Sequence, residues 1–284
     1  MDGVSEPQRR LIAEALAEDV GAGDWTTEWC VPEDVEVTAE IVAKAGGVIA
    51  GLATAAEVFR QLGGVSFSPQ GGDGDEVAAG ALVVQLRGRA QSILTGERVA
   101  LNFLGRLSGI ATLTRRFVEA VAGSDTRITD TRKTTPLWRE LERAATRVGG
   151  AVNHRPGLYA MVLVKENHLT CAGGIAAAVE RVRMLNSTGL AVEVETTNLA
   201  EVRAALEAGV DRIMLDNMSL GTIRQAVGLI RGYVTRPEIE ASGGVGLDNV
   251  RALAETGVDF ISVGALTHSA PALDLSLRIR EVRG

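Results

Sequence analysis

Over residues 6–20, Leu11, Ile12, Ala15 and Leu16 recur at helical spacing with acids opposite, which predicts an amphipathic helix. The run Gly21-Ala22-Gly23-Asp24 ends it in a loop. Between 35 and 50, Val35, Val37, Ala39 and Ile41 alternate with polar positions before Gly46-Gly47, as strands joined by a turn do. A helix follows at 52–62, closed by Gly63-Gly64; the glycine- and aspartate-rich tract 70–75 is a turn, and Ala81–Leu86 is another strand. This opening stretch predicts a small α+β lobe. From 95 to 122 the apolar residues Leu101, Leu104, Leu107, Ile110, Leu113, Phe117 and Val121 keep helical spacing, as two helices broken near Ser108-Gly109.

Beyond that point a unit repeats. Short apolar strands are predicted at Arg127–Thr129, Met161–Val164, Ala191–Val194, Arg212–Leu215, Glu238–Ala241 and Phe260–Val263, with helix-like stretches between them. Each strand is followed at once by polar or small residues: Asp130-Thr131-Arg132-Lys133, Lys165-Glu166-Asn167-His168, Glu195, Asp216-Asn217, Ser242-Gly243-Gly244 and Gly264-Ala265. Strand–helix units of this length build a parallel sheet with right-handed crossovers. In barrels of this kind the chemistry gathers where strands end, which is where these groups fall. Six strands in order, with no GxGxxG after the first, fit an incomplete, open TIM-like α/β barrel better than a doubly wound dinucleotide fold.

Composition narrows the function classes. The chain has 284 residues, enough to bury a core unaided, and its cysteines, Cys30 and Cys171, match no CxxC or Cys/His metal spacing. No apolar run approaches the ~18 residues of a membrane span, and the N-terminal segment mixes acids with bases and lacks the apolar stretch of a signal peptide. Net charge is −7 and no basic block interleaves with aromatics, which argues against nucleic acid as a partner. A cytoplasmic enzyme is the expectation. Three lysines stand against 26 arginines, so Lys44, Lys133 and Lys165 draw the eye as compact, titratable charges, although codon bias produces the same scarcity.

Taken by residue type, the strand ends form an anion site. Arg132 and Lys133 offer a planar fork and a point charge to carboxylate or phosphate, and His154-Arg155, in a loop after Gly149-Gly150, offers a second such grip. Lys165, closing an apolar strand, is either an anion clamp or a Schiff-base lysine. Glu193 and Glu195 share one strand face, and Glu195 and Asp216 at the rim suit Mg²⁺ or ribose hydroxyls, or pair with the cations. Ser242-Gly243-Gly244 and Gly264-Ala265 expose backbone N–H groups of the kind that cradle phosphate. A phosphosugar substrate with Mg²⁺ satisfies this set; spacing alone does not name the reaction.

Residues 130–168, DTRKTTPLWRELERAATRVGGAVNHRPGLYAMVLVKENH, resemble the signature of the quinolinate phosphoribosyltransferases, and the likeness extends over nearly the whole chain, through GERVALNFLGRLSGIAT, VEVETTNLAEVRAALEAGVDRIMLDNMS and IEASGGVGLDNVRALAETGVDFISVGALTHSAPALDLSLRI. The resemblance implies transfer of phosphoribose from phosphoribosyl pyrophosphate to quinolinate with decarboxylation, using Mg²⁺. It also implies an N-terminal α+β sandwich lobe over 1–110, an open barrel over 111–270, and a tail, 271–284, packing back on the lobe. A homodimer or larger homo-oligomer is implied too, with Arg98 reaching into the partner's site. On the matched positions, Arg98, Arg132, His154 and Arg155 take quinolinate; Lys133 and Lys165 stand near pyrophosphate and the reacting centre. Glu195 and Asp216 fall near ribose and metal, directly or through water, while Ser242, Gly243, Gly244, Gly264, Ala265 and His268 fall on the phosphate side.

The chain departs from the family pattern at Leu137-Trp138, Ala144, Ala151 and Thr196-Thr197, none of them a charged site position. Three other functions remain open on the residues: a molybdenum-transport-associated paralogue with another acceptor, an aldolase using Lys165, and a non-catalytic dicarboxylate-binding protein.

Overall fold

The computed structural model describes residues 4–283. In chain order its elements are α1 (Glu6–Val20), α2 (Trp25–Cys30), β1 (Glu36–Ala43), β2 (Gly47–Val48), α3 (Leu52–Leu62), β3 (Val65–Pro69), β4 (Glu76–Val77), β5 (Leu82–Arg89) and α4 (Ala90–Ala120). There follow β6 (Arg127–Thr129), α5 (Arg139–Val148), β7 (Val162–Val164), α6 (Glu166–Ala172), α7 (Ile175–Leu185), β8 (Val192–Thr196), α8 (Leu199–Ala208) and β9 (Arg212–Asp216). The chain ends with α9 (Leu220–Arg231), β10 (Glu238–Ser242), α10 (Val250–Ala254), β11 (Phe260–Ser262), α11 (Ala265–His268) and β12 (Leu275–Arg283). Two compact units result: residues up to Arg115 with Thr135–Gly150 and those from Ala270 on, and Arg116–Thr134 with Ala151–Ser269.

The first unit is built on an antiparallel sheet in the order β12-β1-β5-β3. The alternation in β1 buries Val37, Ala39, Ile41 and Ala43, and the register sets Ala39 opposite Leu86 and Ile41 opposite Val84, so one face is continuously apolar. Ile12 and Leu16 of α1, Val58 and Phe59 of α3, and Ile93, Phe103 and Leu104 of α4 complete this core. Helix α1 begins where it does because Ser5 and Gln8 cap each other's backbone N–H groups. Strand β12 pairs along the whole of β1, from Glu36 opposite Arg283 to Ala43 opposite Leu275.

The expected pair of helices over 95–122 is one continuous helix, α4, of 31 residues. Its glycines serve close approach. A Cβ on Gly109 would stand 2.0 Å from Pro271 O, and Gly105 O accepts the N–H of Leu273 at 2.9 Å. The C-terminal segment thus lies directly on the helix backbone, which no side chain at 109 would permit. Ser108 does not break the helix either; its hydroxyl takes the Ala50 N–H at 3.0 Å. Helix α5, which the strand–helix pattern puts with the barrel, belongs to the first unit. Fully buried Glu142 accepts from Arg106 Nη2 (3.0 Å), Thr135 N (3.0 Å) and Thr135 Oγ1 (2.9 Å), and Trp138 stacks on Phe103 with centroids 4.5 Å apart.

The second unit holds the six expected strands as one sheet, β6-β11-β10-β9-β8-β7, with every neighbouring pair parallel. This is an open α/β barrel with β6 and β7 as its edges. Its strands alternate. Ile128, Val192, Val194, Ile213, Leu215, Ile239, Ala241 and Ile261 are all buried, as are the facing residues Val202, Ala205 and Leu206 of α8 and Ile223, Ala226, Val227 and Ile230 of α9. The other parity carries the charges among apolar groups: Glu193 pairs in register with Arg212, Arg212 with Glu238, and Glu240 with Phe260. Parallel strands covered on both faces by apolar groups read as continuous hydrophobic runs; here the inner face carries charge instead. Arg127 and Arg212 both lie on the Phe260 ring, 4.3 and 4.2 Å from its centroid, so one buried π-face meets two cations.

Among the described residues no helix is long and apolar enough to cross a membrane, and Cys30 and Cys171 are free and exposed.

Candidate active site

All the strand-end groups of the barrel belong to the second unit, and the parallel register brings them to one rim. Leu163 pairs with Glu193, so Lys165 and Glu195, two residues further on, stand side by side; Lys165 Nζ lies 2.7 Å from Glu195 Oε2. Glu195 pairs with Met214, which puts Asp216 on the same face one step nearer the rim, and Asp216 in turn pairs with Ser242. An ammonium held this closely by a carboxylate is a poor nucleophile, which disfavours the Schiff-base role for Lys165. His168 is accounted for structurally: its Nδ1 accepts the Lys165 N–H at 2.9 Å and starts α6.

The cationic side is assembled by Asp130. Fully buried at the end of β6, it accepts from Asn153 Nδ2 at 2.6 Å and from the His154 N–H at 2.7 Å. The loop carrying His154 and Arg155 is thereby pinned beside Arg132. Arg155, 9% exposed, donates from Nη1 to Met161 O at 3.0 Å. Burial first, and then the like charge of Arg132, holds the Arg155 guanidinium below its usual pKa. Two guanidiniums brought together in this way are suited to a dianion.

The phosphate-type loops close the rim. Asn217, at φ 53, donates its N–H to Ser242 O at 2.9 Å and its Nδ2 to Asp216 Oδ2 at 2.7 Å. Gly243, at φ 91, faces that amide so closely that a Cβ would stand 2.2 Å from Asn217 Oδ1; only glycine meets both demands. Gly264 lies between Lys133 and His268, whose Cδ and Nε2 would be 3.0 and 3.2 Å from its Cβ. Thr267 Oγ1 donates to Lys133 O at 2.8 Å, fixing the Lys133 backbone, and His268 Nδ1 lies 2.6 Å from Ser269 Oγ. Ala265 opens α11. Arg98 alone of the candidates belongs to the first unit, exposed on α4 in a recess shared with Asp24, Trp25 and Thr95.

Four polar residues that sequence reasoning did not assign a role prove central: Asp130, Asn153, Glu193 and Glu240. His154 Nε2 lies 3.2 Å from Glu193 Oε2 and 3.3 Å from Glu240 Oε2, and both carboxylates are without solvent exposure. Arg212 Nη1 lies 3.2 Å from the same Glu240 oxygen. Burial works against a charged His154 ring, while the two carboxylates work for it and draw its pKa upward. The Arg155 N–H, 2.7 Å from Nδ1, opposes a second ring proton, because it needs the lone pair there. In the neutral ring that contact decides the tautomer: the proton sits on Nε2. Burial and facing Glu240 push the Glu193 carboxyl upward. An acid inside an otherwise apolar strand, as in VEVET and EIEAS, was the signal available in the sequence.

Residues 24–108 match the quinolinate phosphoribosyl transferase N-terminal domain, and residues 110–278 match the quinolinate phosphoribosyl transferase C-terminal domain. The chain belongs to the quinolinate phosphoribosyl transferase family. It is 50% identical over 265 residues to a probable nicotinate-nucleotide pyrophosphorylase [carboxylating] of Synechocystis, covering 93% of this chain and 90% of the relative. A probable enzyme of the same name from Bacillus subtilis is 40% identical, covering 95% of this chain and 93% of its own. The solved nicotinate-nucleotide pyrophosphorylase of Francisella tularensis superposes with a TM-score of 0.92 at 40% identity, covering 99% of this chain and all of the other.

For this phosphoribosyl transferase the departures from the family pattern are matters of packing. Leu137 has φ 67 and is 83% exposed, a backbone conformation that glycine adopts without strain. Thr196 is buried and donates to Met214 O, and Thr197 is held by Glu201. Ala144 lines a cavity of about 540 Å³ within the first unit, bounded also by Ala50, Asp73, Leu107 and Arg147 and containing none of the rim residues.

Proposed function

We propose that this chain transfers phosphoribose from phosphoribosyl pyrophosphate to quinolinate and releases pyrophosphate, CO₂ and nicotinate mononucleotide, a step of NAD biosynthesis. The observation that carries this reading is the single rim on which Arg132, Lys133, Arg155 and Lys165 stand with Glu195, Asp216 and the two small-residue loops. Arg132 and Arg155 take the two acceptor carboxylates, and the N–H groups around Gly243-Gly244 and Gly264-Ala265 take the 5′-phosphate. Glu195 and Asp216 offer hard oxygen donors on one face of neighbouring strands, a set that fits magnesium directly or through water. Bound there, magnesium supplies charge neutralisation to the departing pyrophosphate.

As the bond from the anomeric carbon to pyrophosphate lengthens, positive charge develops on ribose and the two carboxylates stabilise it, while Lys133 balances the leaving group. The pyridine nitrogen donates its electron pair to the anomeric carbon. The ring then bears a positive nitrogen beside the 2-carboxylate, so the electron pair left by CO₂ is stabilised on the adjacent carbon, which finally takes a proton. Arg98, exposed on the first unit, completes the acceptor site of a second protomer in a homodimer or larger homo-oligomer. The test is a coupled assay for pyrophosphate and CO₂ from quinolinate and phosphoribosyl pyrophosphate. Dicarboxylate binding with neither product would defeat the proposal, and pyrophosphate release only with another acceptor would place the chain with the paralogues.

A further inference from the structure

The cluster at the heart of the second unit takes no part in the transfer steps above. Glu193 on β8 and Glu240 on β10 point to the inner face from either side of β9, and His154, with 7% of its side chain exposed, reaches in between them. The backbone N–H and Nδ1 of His154 are hydrogen-bonded to protein, and its buried Nε2 stands against two carboxylates. The backbone N–H goes to Asp130 Oδ1 at 2.7 Å, Nδ1 receives the Arg155 N–H at 2.7 Å, and Nε2 lies 3.2 and 3.3 Å from the two carboxylates. Nε2 is buried against these carboxylates, so no ring N–H is exposed to meet a bound carboxylate.

We propose that Glu193 and Glu240 are positioning residues for acceptor recognition: they clamp the Nε2–H of His154, whose Nδ1 lone pair then fixes the Arg155 backbone and with it the direction of the Arg155 guanidinium. His154 on this view serves the acceptor site without touching the acceptor, and the inference rests on the reading that Arg155 belongs to that site. A metal ion held by His154, Glu193 and Glu240 is the rival use of the same three side chains. The ring geometry opposes it. A neutral imidazole whose Nδ1 accepts a hydrogen bond carries its proton on Nε2, and a nitrogen bearing a proton has no pair for a metal. The nearby Arg212 already supplies positive charge to Glu240. Two carboxylates suit a clamp better than one because Nε2 sits almost midway between them, so rotation of the ring toward either loses the other.

The chain has three histidines, which makes the ring directly observable by NMR of protein labelled with ¹⁵N-histidine. His154→Gln assigns the His154 signals by their loss. The expected spectrum of the wild-type shows a protonated Nε2 and an unprotonated Nδ1, unchanged on saturation with phthalate, a dicarboxylate that lacks the nucleophilic nitrogen. In kinetics, Glu240→Gln, which keeps an oxygen to accept from Nε2–H, stays near the wild-type KM for quinolinate. Glu240→Met, of similar size without an acceptor, raises that KM about tenfold and leaves the KM for phosphoribosyl pyrophosphate unchanged. A His154 ring protonated on both nitrogens, nitrogen shifts on adding phthalate, or a loss of the Nε2 proton on adding Zn²⁺ or Mg²⁺ would each overturn the proposal. Glu240→Met with equal changes in both KM values would do the same. Phthalate that fails to bind the wild-type would instead remove the acceptor-site reading, and with it the purpose of the clamp, while the tautomer itself stood.

Discussion

Replacement of Glu195 by glutamine separates catalysis from architecture at this site. In the structure Glu195 Oε2 lies 2.7 Å from Lys165 Nζ, and the lysine side chain is 47% exposed against 13% for the glutamate. An ion pair with one partner half in water contributes about 0–1 kcal/mol, since solvent screens it and ordering a lysine costs entropy. At roughly 2–4 °C per kcal/mol for a chain near this size, Glu195→Gln lowers Tm by no more than about 4 °C. If the carboxylate meets charge that develops on ribose, the amide removes an interaction made mainly in the transition state, and turnover falls about a hundredfold, near 3 kcal/mol, with far smaller changes in either KM. The assays are thermal melts of the purified variant beside steady-state measurement of pyrophosphate release, with kcat expressed per folded molecule. A fall in Tm of 10 °C or so with near-normal kcat would refute this reasoning and return Glu195 to the status of an ion-pair partner. Asp216→Asn makes a useful companion, because Asp216 meets a neutral amide, Asn217 Nδ2, and its loss disturbs no ion pair.

Arg132→Lys keeps the charge but loses the fork, so the KM for quinolinate rises about tenfold or more while that for phosphoribosyl pyrophosphate barely moves; equal changes in both would count against the assignment. Mixing inactive Arg98→Ala with inactive Lys165→Ala chains restores part of the activity through hybrid oligomers if Arg98 acts in the partner's site, and verified subunit exchange without recovery rejects that role. Leu137→Gly stabilises the fold by up to about 1 kcal/mol in urea denaturation, because Leu137 has φ 67 and is largely exposed, so relief of backbone strain exceeds the glycine entropy cost; a clear loss of stability would contradict the strain. Gly109→Ala destabilises by about 1–3 kcal/mol although alanine is the better helix former by about 1 kcal/mol, since its Cβ would strike Pro271 O; a stabilised variant would show that the C-terminal segment does not lie on α4.

Much of the barrel was legible in the residues because burial on the helix side imposes a period of two that each strand carries locally. Strands β6 to β11 fall within a residue or two of their expected places, and the groups after them share a rim because parallel strands end on the same side. Helix α4 shows where local reading stops. Ser108-Gly109 looks like a break within its own neighbourhood, yet the reason for a glycine at 109 is Pro271, far along the chain. The same holds for α5, whose membership of the first unit depends on buried Glu142 finding Arg106. The clamp on His154 was beyond sequence reasoning for a related cause. Glu193 and Glu240 come from different strand–helix repeats, and only the strand order β8-β9-β10 sets them on either side of one imidazole. The sequence by itself determined which positions face water, which face apolar neighbours, and where strands deliver charge. Only the tertiary structure decided which charges meet, because a buried carboxylate takes its partner from whatever the fold brings within about 3 Å, at any distance along the chain.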